Sequence, residues 1–396
     1  MYDFDTIIER RGTGAVKWDA RPPFDADTSD MIPLWVADMD FKAAPFIIDA
    51  LRRRVEHGVF GYVTVPDSTS EAVVSWFSRK HGWTLEKDWI IYTTGVVPAL
   101  SAVIKALCEP GEKVIIQSPV YNCFFSSIRN NGCEVLDVPL VYGEGTYSFD
   151  FEGLERACSD PEAKVLLLCN PHNPAGRVWT RAELARVGET ARRHGVAVVS
   201  DEIHCEIVMP GHEYTPFASL TPADQACCVT LCSPSKSFNI AGLHLACIVT
   251  PDAERRRLID RAININEICD VNPFGVVALE AAYSPEGEVW LSELNQYIYD
   301  NYRLLLKELS GYPVCTLEGT YLAWVDISDL GIPSKELVEI LLRDWKVWVN
   351  AGTMYGTDGF IRINLATPRA LLTEGLSRLR RGLAALHRSP SSTRSR

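Results

Sequence analysis

The chain has no long run of lysine or arginine, no apolar stretch of membrane-spanning length, no C-x-x-C pair and no internal repeat. Each absence excludes something. With a net charge of −12 over 396 residues and no basic tract to track a phosphate backbone, nucleic-acid binding is not expected. The opening MYDFDTIIERRGTGAVKWD is charged and broken by glycines, so it fits neither a secretory signal nor a membrane span. A cytoplasmic protein with no membrane contact is expected. Of the 12 cysteines, Cys169, Cys227, Cys228, Cys232 and Cys247 lie inside apolar runs and read as reduced core thiols. Cys228, Cys232 and His204 lack the spacing of a structural zinc site, so no metal is expected.

What is present is enough apolar material for a large domain and a smaller one, at 47% hydrophobic and 23% charged residues. Short β-branched runs alternate with helical stretches: residues 89–94, 113–118, 133–138, 164–170, 196–201, 227–233 and 245–250. Near-continuous apolar runs spaced by helices such as 180–194 predict an α/β fold whose mostly parallel, seven-stranded sheet is covered on both faces. After about residue 285 the pattern changes to a long helix (288–309), TYLAWVDIS, a helix at 334–343, KVWVNAG, GFIRINLA and a last helix at 368–387. The expected organisation is an irregular arm (1–45) crossing between parts or onto a partner, a large domain (46–285), a smaller α+β domain (286–387) and a disordered tail (388–396).

Five polar clusters begin where apolar runs stop: TTGVVPAL, SPVYNCF, NPHNPAG, DEIH and SPSK. In an open α/β sheet ligands bind outside the carboxyl ends of the strands, so the clusters should surround one site. Lys236 follows a buried-looking strand. It is either a solvated loop lysine or an amine, deprotonated by desolvation, that forms an imine with a phosphorylated aldehyde. Ser233 and Ser235 flank it with hydroxyls suited to a phosphate. Gly95, Val96 and Val97 open a helix whose free N–H groups suit an anion. Asp201 either caps a following helix or pairs with a protonated pyridine nitrogen. Asn173 offers a donor to a ring oxygen, and Tyr121 is either a packed aromatic or a stacking platform. Arg362, in an apolar strand, either pairs with a structural carboxylate or receives a substrate carboxylate.

In this order and at these separations, NPHNPAG, DEIH and SPSKSFNIAG resemble the fold-type I pyridoxal-phosphate enzymes, the aspartate-aminotransferase superfamily. The likeness runs from about residue 30 to 387. PLWVADMDF, FGYVTVP, EGTYLAWVD and VNAGTMYG are similar to its cystathionine β-lyase (C–S lyase) branch of the MalY/PatB type. The resemblance implies pyridoxal 5'-phosphate as cofactor, with Lys236 as its Schiff-base lysine, Asp201 on the pyridine nitrogen, Asn173 on the ring hydroxyl and Tyr121 stacked on the ring. Gly95, Val96, Val97, Ser233 and Ser235 would face the phosphate, and Tyr62 would reach the phosphate of a neighbouring subunit in a homodimer. Arg362 would grip the substrate carboxylate, with Trp35, Asp38 and Tyr355 lining the substrate side.

His204 and His244 depart from the aminotransferase pattern, which has tyrosine and arginine there. Each is either a cofactor contact or a packed core histidine. The implied activity is β-elimination from L-cystathionine or a related L-cysteine S-conjugate to thiol, pyruvate and ammonia. A class I/II aminotransferase is the alternative, and a regulatory binding protein on the same fold a more distant one.

Overall fold

The computed structural model describes residues 2–268 and 270–387; the expected disordered tail lies outside them. Seven strands form the central sheet: β1 (Ile90–Thr93), β2 (Lys113–Ile116), β3 (Glu134–Asp137), β4 (Ala163–Cys169), β5 (Ala197–Asp201), β6 (Cys228–Cys232) and β7 (Ala246–Val249). Their order is β1-β7-β6-β5-β4-β2-β3, and every pairing is parallel except those of β7 with β1 and β6.

The runs read as continuous apolar stretches because both faces are covered. Val165, Leu167, Val199 and Leu231 pack with Leu100, Val103 and Ile259 on one side. Leu166, Leu168 and Val198 turn the other way, into the core that holds Leu184 and Val187. That second face is covered in part by helix Arg181–Arg193, which starts as its sequence dictates. Thr180 Oγ1 accepts from Glu183 N–H at 3.2 Å, and the Glu183 carboxylate accepts from Thr180 N–H at 2.8 Å.

The C-terminal region carries a smaller antiparallel sheet of β8 (Leu322–Asp326), β9 (Asn350–Ala351) and β10 (Phe360–Asn364), ordered β8-β10-β9. Helices Pro285–Glu308, Ser334–Trp345 and Arg369–His387 accompany it. One element was not anticipated. Val141–Gly143 and Thr146–Ser148 form a hairpin whose two turn residues, Glu144 and Gly145, both have positive φ (52° and 73°). That backbone usually takes Asn-Gly or Asp-Gly, so the Glu-Gly pair gave little signal.

The arm is more ordered than its sequence suggests. Ile32–Pro33 adds a parallel strand beside Val347–Trp348, and Val16–Asp19 forms a helical turn. What fixes the arm is a charge cluster. Lys17, 0% exposed, donates to Asp40, 3% exposed, at 2.6 Å, while Arg10 bridges Asp40 and Asp38 at 2.7 and 2.6 Å. Trp18 Nε1 adds a donor to Asp40 at 2.9 Å. Burial alone would push the Asp40 carboxyl up, but Lys17, Trp18 and Arg10 together hold it below the usual range.

Removing one partner of a buried pair strands the other charge. Asp40→Ala is therefore expected to cost about 3–5 kcal/mol and lower the thermal midpoint by several degrees. The joint replacement Lys17→Met with Asp40→Leu should recover most of the loss.

Candidate active site

Because β1, β2, β4, β5 and β6 run in one direction, the loops after them open at one edge of the sheet. They enclose a cavity of about 280 Å³. Thr94 to Pro98 enter it after β1, Tyr121 after β2, Cys169 and Asn173 from the end of β4, and Asp201, Ile203 and His204 from the end of β5. Ser235, Lys236, Ala241, His244 and Leu245 come from the β6–β7 connection, and Ala37 from the arm. The five clusters do surround one site. A wider surface groove of about 580 Å³ holds Arg53, Arg54, His57 and Glu280 but none of the strand-end residues.

Lys236 is only partly accessible, and its Nζ donates to the Ala37 carbonyl at 2.6 Å. Burial and the nearby Arg362 cation lower its amine to about 8, against the pull of Asp38 and Asp201. A useful fraction of the amine is therefore neutral near pH 8. Asp201 closes β5, and no helix follows for it to cap. Its carboxylate accepts from Ile203 N–H at 3.2 Å, and burial raises it to about 6 despite that bond and Lys236. A buried carboxylate with so little compensation is matched to a cationic or N–H-bearing group in the cavity.

Arg362 lies on β10 and is 3% exposed. No carboxylate among the described residues pairs with it. Its Nη1 donates to Asn173 Oδ1 at 3.1 Å and its Nη2 to the Trp35 carbonyl at 2.9 Å, while Nε has no partner. The guanidinium stacks 4.8 Å over the Tyr355 ring. The structural-ion-pair reading of Arg362 is therefore removed. His204 is buried, edge-on to Tyr321 at 5.8 Å between ring centroids, and its Nδ1 has no partner. Burial, with Lys236 and Arg362, lowers it to about 3, so the ring is neutral at working pH. His244 is exposed at the cavity rim and is not a packed core residue.

Helix Val96–Leu107 starts at the cavity, leaving the N–H groups of its first turn directed toward it. Tyr121 lines the wall, with burial pushing its phenol up. Other expected contacts are placed differently. The Ser233 hydroxyl is spent within the turn, donating to the Leu245 carbonyl at 2.7 Å and accepting from Ser235 N–H at 3.1 Å, while Ser235 itself lines the cavity. Trp35 stacks on Trp348 at 4.2 Å and donates to the Lys17 carbonyl at 3.0 Å. Asp38 is held by Arg10, so its carboxylate serves the arm, though its charge is felt at Lys236. Tyr355 is buried beneath Arg362, its hydroxyl accepting from Asn350 at 3.0 Å. Tyr62 is 98% exposed and outside the cavity.

Sequence reasoning passed over the Ala37 carbonyl, Ile203, Tyr321 and three asparagines, Asn239, Asn350 and Asn364. An asparagine inside the apolar run FIRIN was a signal available to be read. The unpartnered Arg362 Nε and His204 Nδ1, with the under-bonded Asp201, are demands that a phosphorylated pyridine aldehyde and an amino acid fit. Lys236 would tie the aldehyde, Asp201 the ring nitrogen and the helix start the phosphate.

A carboxyl raised in the folded state binds its proton more tightly there, so folding loses stability as pH climbs from about 4 to about 6. Asp201→Asn is expected to stabilise the cofactor-free chain by on the order of 2–3 kcal/mol above pH 6. The gain should vanish below pH 4 in thermal melts, while cofactor affinity falls.

The family model for aminotransferase class I and II matches residues 29–379. The cystathionine β-lyase PatB of Bacillus subtilis (strain 168) is 42% identical over 388 residues, covering 96% of this chain and all of that protein. Among solved structures, cystalysin from Treponema denticola, which contains a pyridoxal 5'-phosphate cofactor, superposes with a TM-score of 0.93 at 33% identity, covering 98% of this chain and 100% of that one. The PLP-bound C–S lyase from Staphylococcus hominis with the inhibitor L-cycloserine gives 0.89 at 34%, covering 97% and 98%. A match of this extent, with relatives aligned from end to end, shows that the chain belongs to the aminotransferase class I and II family.

Proposed function

We propose that the chain is a pyridoxal-phosphate-dependent C–S β-lyase acting on L-cystathionine or related L-cysteine S-conjugates. The observation that carries the reading is the convergence of a poorly solvated lysine and an under-bonded aspartate on one cavity, with a carboxylate-free arginine bonded to Asn173 of its wall. PatB and the S. hominis enzyme, named for this chemistry, support it.

The bound cofactor supplies a protonated ring that draws off the charge left when Cα loses its proton, so that a thiolate on Cβ can leave. The chain does the rest. Arg362 receives the substrate carboxylate through its unpartnered edge and so fixes which Cα bond faces the ring. Asp201 would hold a proton on the ring nitrogen. The Lys236 amine, which would also hold the aldehyde, would take the Cα proton as general base. Asn173, already oriented by Arg362, would donate to the ring oxygen, and Tyr121 would cover one face of the ring. Neutral His204 occupies the wall without adding a charge that would compete with Asp201. With cystathionine the released thiol is homocysteine.

The active unit is a homodimer in the cytoplasm, with Tyr62 reaching across to the partner's phosphate. The nearly complete exposure of Tyr62 and the exposure of Val59 and Phe60 support that arrangement. No described helix is long and apolar enough to cross a membrane.

Purified protein should be yellow and should release pyruvate and thiol from cystathionine with no added keto acid. An absolute need for a keto acid acceptor would identify an aminotransferase instead. Lys236→Ala should abolish elimination and the borohydride-fixed cofactor while leaving the fold. Arg362→Ala should raise KM by roughly 10², as expected for loss of a charge-assisted pair.

A further inference from the structure

The Ala37 carbonyl accepts two hydrogen bonds, one from Lys236 Nζ at 2.6 Å and one from the Tyr321 hydroxyl at 2.9 Å. Tyr321 is fully buried, and that carbonyl is its hydroxyl's hydrogen-bond partner. The residue before it, Thr320, has φ +67°, a left-handed backbone that a β-branched residue rarely adopts. Thr320 N–H donates to the Ile207 carbonyl at 2.8 Å, and its Oγ1 accepts from Leu322 N–H at 3.1 Å. The chain thus holds a costly conformation that aims one phenol at one carbonyl.

The carbonyl cannot follow either donor. On one side the Val36 carbonyl accepts from Asn364, and on the other the Asp38 carbonyl does so too. Met39 N–H donates to Asn239 Oδ1 at 3.0 Å. With the acceptor fixed, two donors compete for its electron density. An ammonium draws on a carbonyl more strongly than a neutral amine does, so a second donor disfavours the charged lysine more than the neutral one.

We propose that Tyr321 is a positioning residue that competes with Lys236 for the Ala37 carbonyl and so keeps the lysine available as a free base. The inference rests on the lyase reading for what the free base does, and it adds a residue that does not line the cavity. The charged and titratable groups that face Lys236 come from every neighbouring element: Asp38 from the arm, Asp201 and His204 from the end of β5, Arg362 from β10 and Cys123 from helix Asn122–Asn130. Arg362 favours the neutral amine, and the two aspartates favour the ammonium. Tyr321 acts by a different route, through the amine's own acceptor.

The test uses the full chain, purified as holoenzyme and then stripped of cofactor with hydroxylamine. Acetic anhydride labelling of Lys236 across pH 6–11, read by peptide mass spectrometry, gives its titration midpoint. Tyr321→Phe should move that midpoint up by roughly half a unit to one unit, the equivalent of one neutral hydrogen bond. Labelling near pH 8 should slow correspondingly, by about two- to fivefold. 3-Fluorotyrosine at position 321, a more acidic phenol and stronger donor in an unchanged fold, should move it down. Full recovery of cofactor occupancy on adding pyridoxal phosphate checks that each protein is folded. If Tyr321→Phe fails that check, the fluorotyrosine arm alone decides. An unmoved midpoint, or shifts in the opposite order, overturns the inference. A protein that yields no pyruvate from cystathionine overturns the lyase reading and leaves this comparison intact.

Discussion

Residues 35–39 form an irregular segment in which every carbonyl accepts a hydrogen bond from a side chain elsewhere in the chain. Trp35 accepts from Arg362 and Asn350, Val36 from Asn364, and Ala37 from Lys236 and Tyr321. Asp38 accepts from Asn364 and Lys17, and Met39 from Asn239 and Arg10. A half-buried loop packed between two sheets must satisfy its backbone without a ladder. Here Lys236 and Asn239 reach it from the central sheet, and Tyr321, Asn350, Arg362 and Asn364 from the C-terminal one. The segment therefore sets the distance between Lys236 and Arg362, the residues that must meet opposite ends of one small substrate. Its own position depends on the Lys17–Asp40–Arg10 cluster below it.

The electrostatics of the cavity follow from that arrangement. Lys236 and Asp201 line the cavity, and Arg362 and Asp38 lie close enough to act on the lysine, yet these two cations and two anions are not paired off. Asp38 is taken up by Arg10, and Arg362 finds only an amide oxygen and a backbone carbonyl. Desolvation then dominates, lowering the lysine and raising the aspartate. Had Arg362 met Asp201 directly, both charges would have been satisfied and neither would have had reason to bind anything.

The central sheet was legible because its signal is redundant: seven apolar runs of strand length, five of them ending in a polar cluster, admit few arrangements. The convergence of those clusters followed from strand direction alone. The hairpin at 141–148 was not legible, because its turn relies on a non-glycine residue at positive φ. Nor were the side-chain donors to the arm, since an asparagine serving a distant carbonyl looks locally like any other asparagine. Trp35 and Asp38 illustrate the same limit. Their motif marks the substrate side, but the structure shows that it is the motif's backbone carbonyls, more than these two side chains, that meet the site. Ser233 was read as a ligand contact from its position beside Lys236, whereas a hydroxyl so close to a tight turn is consumed by the turn itself.

The run Asp201-Glu202-Ile203-His204-Cys205-Glu206 contains three buried carboxylates whose surroundings separate structure from function. Glu202 receives the hydroxyls of Ser200 and Tyr214 and the N–H of Phe217. Glu206 receives Trp76 Nε1 and faces His81 Nε2 at 2.6 and 2.8 Å. Each is tied to at least two side chains from other parts of the fold, and a buried carboxylate bonded in this way is a brace. Asp201 is buried to the same degree but accepts a single N–H at 3.2 Å. A fold that supplies three hydrogen bonds to the next residue, Glu202, could have supplied them here, and the uncompensated charge lowers the stability of the empty chain. Such a cost persists where something outside the chain completes the bonding. Of the three, only Asp201 faces the cavity, so the count of donors around each carboxylate, together with its direction, identifies the one that waits for a ligand.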